Sequence, residues 1–368
     1  MSAFAEALNL HKAGDLPAAE AAYRRALAEG ESDRARGNLG LVLRALGRAA
    51  EAEAELRRAC ELAPHRATHA YNLGNLYWHT GRAADAEAAY AMAFQLNPDE
   101  PGLRLNMGNA AILAGREAEG WALYDTRPER GRSEANRLSF PEWRGEPLAG
   151  KRLFVWGEQG FGDEIFAARY FSGTGAASVT MACRPELAGL IRQLGHDVRP
   201  MGPGMTIERH DYWALPLSLP RWATASAAPY FRAEGETPRR GGFGVMWRGN
   251  AKPDPGRSLP EAQAARLLSL PGAVSLQPED SGARDFEETA RLIAGLDRIV
   301  TIDTSVAHLA GALGKPTLVL LQDQALDWRW RESALGRSYW YPTVELRRQP
   351  RRGEWAPLID GVVDELSR

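Results

Sequence analysis

The stretch GEQGFGDEI at 157–165 places three glycines and three acidic residues, among them Asp163, between an apolar strand and a helix. A dinucleotide-binding turn would read G-x-G-x-x-G and would be followed by an acidic residue at the end of the second strand. The order here is G-x-x-G-x-G, and no acidic residue ends the second strand near Thr180, which argues against NAD. Gly160 and Gly162 let the backbone approach a ligand, whereas Asp163 could either act on that ligand or cap the helix.

A second candidate stretch is IVTIDTSVAHLAGALGKPTLVLL at 299–321, where a strand delivers Asp303, Thr304 and Ser305 to the start of a helix. Hydroxyls and free N–H groups at the positive end of a helix suit a phosphate, although either hydroxyl could simply cap the helix. The segment GALGKPT is not a phosphate loop, because Leu309 stands where the motif needs its first glycine.

The loop VMWRGNAKPDPGRSLP at 245–260 follows another strand, and its cations could neutralise a departing phosphate or lie in solvent. A glutamine ending the strand AVSLQ could contact a base or ribose, or be solvated. The histidine one turn into the helix of the second stretch could bind the donor or only brace the turn, and DWRW at 327–330 could wall the pocket or pack between domains. The candidates on this side are Asn250, Lys252, Arg257, Gln277, His308, Asp327 and Trp328.

The elements that carry these residues alternate between short apolar strands and helices, from RLFVWG at 152–157 to PTLVLL at 316–321. Such alternation predicts parallel sheets covered on both faces. The alternation breaks at 206–240, and a seam rich in Pro, Gly and Arg follows. We therefore predict two half-size α/β domains, 150–236 and 237–368.

The first third of the chain repeats with a period of 34 residues. Gly40, Gly74 and Gly108 keep this step, and a second glycine series at 47, 81 and 115 keeps it as well. The pattern resembles the tetratricopeptide repeat, in which small residues let two helices of one unit approach closely. We predict a solenoid of three to four repeats at 1–127, with a degenerate first copy, and a linker at 128–149.

Asparagine recurs at the sixth position of each unit, as Asn38, Asn72 and Asn106. An amide on the first helix of each pair can donate to and accept from a peptide backbone without reading its sequence. The arrangement resembles the asparagine ladder of the protein-glycosylating O-GlcNAc transferases. The alternative is that each asparagine satisfies neighbouring backbone or faces solvent.

The composition excludes several classes of protein. A net charge of -2 gives no global preference for nucleic acid or an anionic membrane. Two distant cysteines, Cys60 and Cys183, and the lack of a signal-like N-terminus or a long apolar run indicate a cytoplasmic chain without disulfides or membrane insertion. The histidines and carboxylates form no spacing typical of a metal site.

Taken together, GEQGFGDEI, GNAKPDPGRSLP, SLQ, DTSVAHLAGALGKP and DWRW resemble bacterial tetratricopeptide proteins with a heptosyltransferase-like glycosyltransferase domain of the GT-B fold. The resemblance covers nearly the whole chain. It implies an α plus α/β fold, with an all-α solenoid followed by two Rossmann-like domains, 150–236 on the acceptor side and 237–368 on the nucleotide-sugar side. Members with repeats are linked to protein glycosylation, including that of flagellin.

The resemblance also implies a site. Asp163, after Gly162, matches the proposed catalytic base, and Asp303, Thr304 and His308 match a D-T-x-x-x-H motif at the donor phosphates. Gln159, Gly160 and Gly162 would meet the acceptor. The implied reaction is inverting and metal-independent transfer of a hexosyl, nonulosonic-acid or related sugar, with a nucleotide-sugar as donor substrate and no cofactor.

Two other functions stay open on the sequence. The chain could be a non-catalytic adaptor whose repeats bind a partner beside a degenerate glycosyltransferase body. Alternatively, it could glycosylate a glycan or a lipid-linked acceptor and use the repeats only for docking.

Overall fold

The computed structural model describes residues 2–235, 237, 239–250, 255–323, 326–351 and 353–367. The chain divides into two units, Met1–Thr126 with Gln324–Trp328, and Arg127–Asp323 with Arg329–Arg368. Helices build the first unit, and two parallel sheets with helices build the second. The predicted α plus α/β fold is confirmed.

The first unit packs as four helix pairs, one for each repeat, and the degenerate first copy forms a pair like the others. Its helices are α1 (Ala3–Ala13), α2 (Leu16–Glu29), α3 (Asp33–Ala45), α4 (Ala49–Leu62), α5 (Ala67–His79), α6 (Ala83–Leu96), α7 (Leu103–Leu113) and α8 (Glu117–Tyr124).

Both glycine series have a steric reason. A Cβ on Gly40 or Gly74 would lie 2.6 Å from a side-chain atom of Leu56 or Tyr90, on the second helix of the same pair. The other series connects the two helices of each pair in the left-handed conformation, with φ of 78°, 75° and 89° at positions 47, 81 and 115. Side chains rarely adopt this conformation, so the 34-residue period records a close helix contact and a tight turn in every unit.

The first sheet of the second unit has the order β3-β2-β1-β4, and all its pairings are parallel. Its strand β1 is buried through three consecutive residues, as expected of a strand covered on both faces. The elements of this half are α9 (Pro128–Arg132), β1 (Arg152–Trp156), α10 (Phe161–Ala167), β2 (Ser178–Cys183), α11 (Pro185–Arg192), β3 (Asp197–Pro200) and β4 (Tyr212–Ala214).

The second sheet has the order β6-β5-β7-β8-β9 and is also parallel throughout. Its elements are β5 (Phe243–Met246), α12 (Glu261–Leu268), β6 (Ala273–Ser275), α13 (Pro278–Ser281), α14 (Phe286–Gly295), β7 (Arg298–Ile302), α15 (Ser305–Ala312), β8 (Thr317–Leu321), β9 (Val344–Arg348) and α16 (Trp355–Leu366).

The segment 128–149, predicted as a linker, is folded against the first sheet. Phe140 and Trp143 are buried, and the Trp143 N–H donates to the Trp213 carbonyl at 2.7 Å. The Trp213 N–H in turn donates to the carbonyl of Pro141 at 2.9 Å. The buried aromatic residues explain why this polar segment packs on the sheet, so the linker prediction is corrected.

Each sheet has a point where the strand order reverses, between β1 and β4 in the first and between β5 and β7 in the second. Ligands of open α/β sheets bind beyond the carboxyl ends of the strands at these points. The turns that follow β1, β5 and β7 are the three that the sequence marks for chemistry.

Candidate active site

The turn after β1 is anchored by a buried ion pair. Arg127 donates to both carboxylate oxygens of Glu158, at 2.6 and 3.0 Å, and also to the hydroxyl of Ser218 at 3.0 Å. Glu158 further accepts from the N–H of Leu217, which follows β4. Burial raises the pKa of Glu158 above its ordinary value, against the opposing charge of Arg127. Glu158 therefore joins the turns after β1 and β4 and fixes the shape of the site.

Asp163 is held from two sides. Its Oδ2 accepts from the N–H of Gly160 at 3.1 Å, which caps α10 from the helix's first turn. Its Oδ1 accepts from Nη2 and Nε of Arg329 at 2.6 and 2.8 Å. Burial raises the pKa of Asp163, but the charge and hydrogen bonds of Arg329 outweigh it and hold the pKa below its ordinary value. The carboxylate is thus ionised and oriented, and it serves as a cap and as an ion-pair partner at once.

Gly162 makes room for a histidine instead of a substrate. A Cβ on Gly162 would lie 2.7 Å from Cδ2 of His308. The prediction that this glycine opens space for an acceptor is corrected, because the imidazole fills the space. Gln159, two residues before the helix, is a non-glycine residue at positive φ, 59°, so the backbone of the turn is itself constrained.

His308 joins α15 to the turn after β1. It is buried, its Nδ1 lies 3.0 Å from the Tyr341 hydroxyl, and its ring stacks on Trp330 with centroids 4.8 Å apart. Burial lowers the pKa of His308 to about 3, although the charge of Asp163 opposes this. The imidazole is therefore neutral and acts as a packed brace between α10 and α15.

The residue at the N-cap position of α15 does not cap the helix with its side chain. Thr304 occupies the N-cap position, yet its hydroxyl makes no capping hydrogen bond and lies 3.3 Å from the hydroxyl of Thr301. Asp303 and Ser305 flank it at the helix entrance. The simple capping interpretation of Thr304 is therefore corrected.

Arg257 lies at the same place. A Cβ on Gly249, in the turn after β5, would lie 3.2 Å from Cγ2 of Thr304 and 3.3 Å from Nε of Arg257. Arg257 also donates to the carbonyl oxygen of Asn250 at 3.0 Å. The structure thus brings Arg257 to the start of α15. Lys252, predicted for the same role, lies outside the described residues.

Gln277 is buried rather than solvated. Its Nε2 donates to the carbonyl of Arg248 at 3.2 Å, which holds the turn after β5. The solvated alternative is therefore wrong, and one N–H of the amide is used inside the protein, whereas the contact with a base or ribose stays a prediction.

Trp328 belongs to the first unit and not to a donor pocket. It is buried with its ring centroid 4.9 Å from that of Trp121 and 5.9 Å from that of Tyr124. Asp327 lies in the same segment. A pocket wall formed by Trp328 is corrected because the side chain is buried, whereas the donor-binding role of Asp327 stays a prediction. The next tryptophan, Trp330, stacks on His308.

The asparagine ladder is engaged within the solenoid. Asn106 donates to Asn75 Oδ1 at 2.8 Å and to the Tyr71 hydroxyl at 3.2 Å. Asn38 is half-buried and lies near the Tyr23 phenol. Asn72 is half-buried and has no hydrogen-bonding side-chain partner among the described residues. The three amides are therefore not equivalent, because Asn106 satisfies neighbouring side chains, and the binding of an acceptor chain by this ladder stays a prediction.

Two family models match the chain. A tetratricopeptide repeat model matches residues 4–67 and 56–101, and the glycosyltransferase family 9 (heptosyltransferase) model matches residues 281–325. The second match contains Asp303, Thr304 and His308. The chain thus combines tetratricopeptide repeats with a glycosyltransferase region, which confirms the predicted architecture.

Among curated proteins, FlbA of Caulobacter vibrioides is 26% identical over 319 residues, covering 67% of this chain and 52% of FlbA. The chain spans about half the length of this relative. Among solved structures, an O-GlcNAc transferase variant of Thermobaculum terrenum is 16% identical with a TM-score of 0.38, covering 99% of this chain and 91% of its own. PilF of Pseudomonas aeruginosa is 25% identical with a TM-score of 0.33, covering 36% and 62%.

Within the described part of the chain, the helices are too short or too polar to cross a membrane.

Proposed function

We propose that the chain is an inverting, metal-independent glycosyltransferase that moves a sugar from a nucleotide-sugar to a hydroxyl of a protein acceptor, with flagellin as a candidate. The observation that carries the proposal is the contact of Gly162 with His308. It places the carboxylate of Asp163, one residue along α10, beside α15. The N-cap of α15 lies one helical turn from His308, about 6 Å along the axis.

The reaction follows from these positions. Asp163 accepts the proton of the acceptor hydroxyl as the oxygen attacks the anomeric carbon, and the bond to the nucleotide phosphate breaks on the opposite face. The configuration is therefore inverted. The start of α15 and the guanidinium of Arg257 stabilise the charge that develops on the leaving phosphate. These groups supply the role that a metal ion has in other transferases, which motivates the metal-independent proposal.

The ion pair with Arg329 is compatible with a base. Both hydrogen bonds from Arg329 go to Oδ1, and Oδ2 accepts only one bond from Gly160 among the described residues. A carboxylate oxygen has two lone pairs, so Oδ2 keeps one for the acceptor hydroxyl. Glu158 is a poorer candidate, because Arg127 and Leu217 occupy its oxygens.

The repeats recruit the acceptor in this proposal. Stacked repeats present an extended surface of first helices, which suits a polypeptide. Asn72 and Asn38 supply amides for the peptide backbone, whereas Asn106 shapes the surface through its hydrogen bonds to Tyr71 and Asn75.

The test compares three forms of the full chain, each co-expressed with flagellin: the native chain, Asp163→Asn and Arg257→Ala. We expect the intact mass of flagellin to rise by one sugar with the native chain. Asp163→Asn should lower turnover by about 10² to 10⁴, typical for loss of a general base, and keep nucleotide affinity in calorimetry. Arg257→Ala should weaken nucleotide binding instead.

Three results would contradict the proposal or redirect it. Flagellin bound without any mass gain, and no donor consumed, would favour an adaptor. Donor consumed only with a lipid-linked or free glycan would favour the other acceptor class. Full turnover by Asp163→Asn would remove Asp163 from the reaction.

A further inference from the structure

The arginines of the solenoid are almost all paired with acids. Residues 1–126 carry 17 acidic and 13 basic side chains, and 12 of the basic ones are arginines. In the described part of this unit, ten arginines form ion pairs with carboxylates: Arg24, Arg25, Arg36, Arg48, Arg57, Arg58, Arg66, Arg82, Arg104 and Arg116. The remaining two, Arg34 and Arg44, both lie on α3.

These two arginines differ in their surroundings. Arg34 is exposed and lies over the ring of Phe4, 5.4 Å from its centroid. Arg44 is half-buried and has no carboxylate partner among residues 2–126. Burial lowers the pKa of Arg44, and the nearby phenols of Tyr90 and Tyr71 oppose this only in part. Partial burial of a cation without a carboxylate partner costs free energy. This unit has more acidic than basic side chains, yet none of them pairs with Arg44 among residues 2–126.

A polar cluster of Tyr71, Asn75, Tyr90 and Asn106 spans successive repeats, and its two phenols lie close enough to Arg44 to act on its charge. Asn75 Oδ1 accepts from the Tyr90 hydroxyl at 2.9 Å and from Asn106 at 2.8 Å. The amides and phenols therefore hydrogen-bond to one another. The guanidinium of Arg44 makes no hydrogen bond among residues 2–126, so its N–H donors can bind another group.

The repeat places Arg44 on the same helix face as these partners. Arg44 lies seven residues after Gly37 and three after Leu41, which are the equivalents, one period earlier, of Tyr71 and Asn75. Residues at these spacings share one face of a helix. The unpaired charge thus lies on the face of the first helices, where the proposed function puts the acceptor.

We infer that Arg44 is a binding subsite for the side-chain carboxylate of an aspartate or glutamate in the acceptor polypeptide. A guanidinium takes a carboxylate through two parallel hydrogen bonds, and partial burial strengthens such a pair. The inference rests on the proposed role of the repeats in holding the acceptor. It adds that the acceptor segment carries an acidic residue.

The experiment measures peptide binding by the full chain without any sugar donor. Two fluorescein-labelled peptides of about twelve Gly, Ser and Thr residues, amidated at the C-terminus, differ only in a central Glu or Gln. The native chain should bind the Glu peptide about tenfold more tightly, as expected for a charge-assisted pair. Arg44→Gln should remove this preference, and Arg44→Lys should keep part of it. Arg34→Gln, with the same charge change on the same helix, should keep it fully.

Three outcomes would overturn the inference. The first is that the native chain binds the two peptides equally or binds neither. The second is that Arg44→Gln keeps the preference for the Glu peptide. The third is that Arg34→Gln loses this preference to the same extent as Arg44→Gln. A thermal unfolding midpoint equal to that of the native chain shows that the solenoid of each variant is intact. Because no donor is present, a chain that prefers the Glu peptide but transfers no sugar would uphold this subsite and refute the transferase.

Discussion

Asp163 keeps its charge because Arg329 donates two hydrogen bonds to one of its oxygens. The pair sets how basic the carboxylate is as well as where it points. Protonation inactivates a general base. A carboxylate whose pKa is lowered therefore stays ionised, and active as a base, in mildly acidic solution.

Arg329→Met should therefore move the acid limb of the pH–rate profile to higher pH. The pKa of Asp163 is lowered in the native chain, so losing the arginine raises it and protonation sets in at a pH nearer neutral. Turnover should fall most at about pH 5 and least at about pH 8. Arg329→Lys keeps a positive charge and should shift the limb less. An acid limb that does not move would show that Arg329 does not control this carboxylate.

Sequence patterns could mark Asp163 but not its partner. A glycine-rich turn before a helix is a local signal, whereas Arg329 lies 166 residues further along the chain. The same holds for Arg127 and Ser218, which fix Glu158 from outside the turn. Side chains that orient a reactive group are supplied by the fold, and a single sequence does not show which distant residues the fold brings together.

Helix α10 carries a second acidic residue, Glu164, whose pKa is shifted in the opposite direction to that of Asp163. Glu164 is buried, its Oε1 lies 3.6 Å from Arg184, and its Oε2 has no hydrogen-bond partner among the described residues. Burial raises the pKa of Glu164 to about 8, against the charge of Arg184. Adjacent residues of one helix thus hold an ionised and a protonated carboxyl group near neutral pH.

Glu164→Gln should make the chain more stable at about pH 8 and change little at about pH 5. Between its unfolded pKa of 4.5 and its folded pKa of about 8, the native state binds more protons than the unfolded state. The free energy of unfolding therefore falls as pH rises through this window, and glutamine removes that loss. Thermal unfolding at both pH values measures it, with the exposed Glu186→Gln as control. A pH-independent effect would contradict the assignment.

The repeat glycines allow a steric prediction for the solenoid. A Cβ on Gly108 would lie 2.7 Å from the backbone nitrogen of Tyr124 and 2.9 Å from the carbonyl of Gly120. Backbone atoms give way less easily than side chains, so Gly108→Ala should lower the free energy of unfolding by about 1–3 kcal/mol. Gly361→Ala on α16 meets no atom within 4 Å and should be neutral or slightly stabilising. Denaturant unfolding compares them, and equal stabilities would contradict the packing.

Elements with a strong period could be predicted and those without one could not. The 34-residue repeat and the short, continuously apolar strands were visible in the sequence and are confirmed as helix pairs and parallel sheet. Strand β4 has only three residues and lies in the segment where the alternation breaks. The segment 128–149 looks polar because its buried anchors, Phe140 and Trp143, are few and widely spaced.

At the scale of the whole molecule, the α/β unit holds two half-sites that sequence reasoning placed separately. The turn after β1 carries the carboxylate of Asp163, and the turns after β5 and β7 carry Arg257 and the start of α15. Thr304 and Arg257 meet at Gly249, and His308 meets Gly162. The proposed reaction requires both halves at once, and these two contacts are what join them in the structure.

Transfer should survive excess EDTA in the assay. The start of α15 and Arg257 already supply positive charge at the leaving phosphate, and the sequence lacks a D-x-D motif. The rate of sugar incorporation with and without the chelator measures this, and added Mg²⁺ or Mn²⁺ should not raise it. A rate that falls to background and returns with the metal would contradict the metal-independent mechanism.

The contact between Gly162 and His308 also has an evolutionary consequence. Position 162 has no room for a side chain, because a Cβ there would lie 2.7 Å from Cδ2 of the His308 imidazole. Neither residue can therefore drift alone: a lineage that gains a side chain at 162 has to lose or turn the ring at 308, together with its stacking on Trp330. Among homologous chains, the two positions should behave as one inherited character, so an alignment should show them changing in concert although 146 positions separate them.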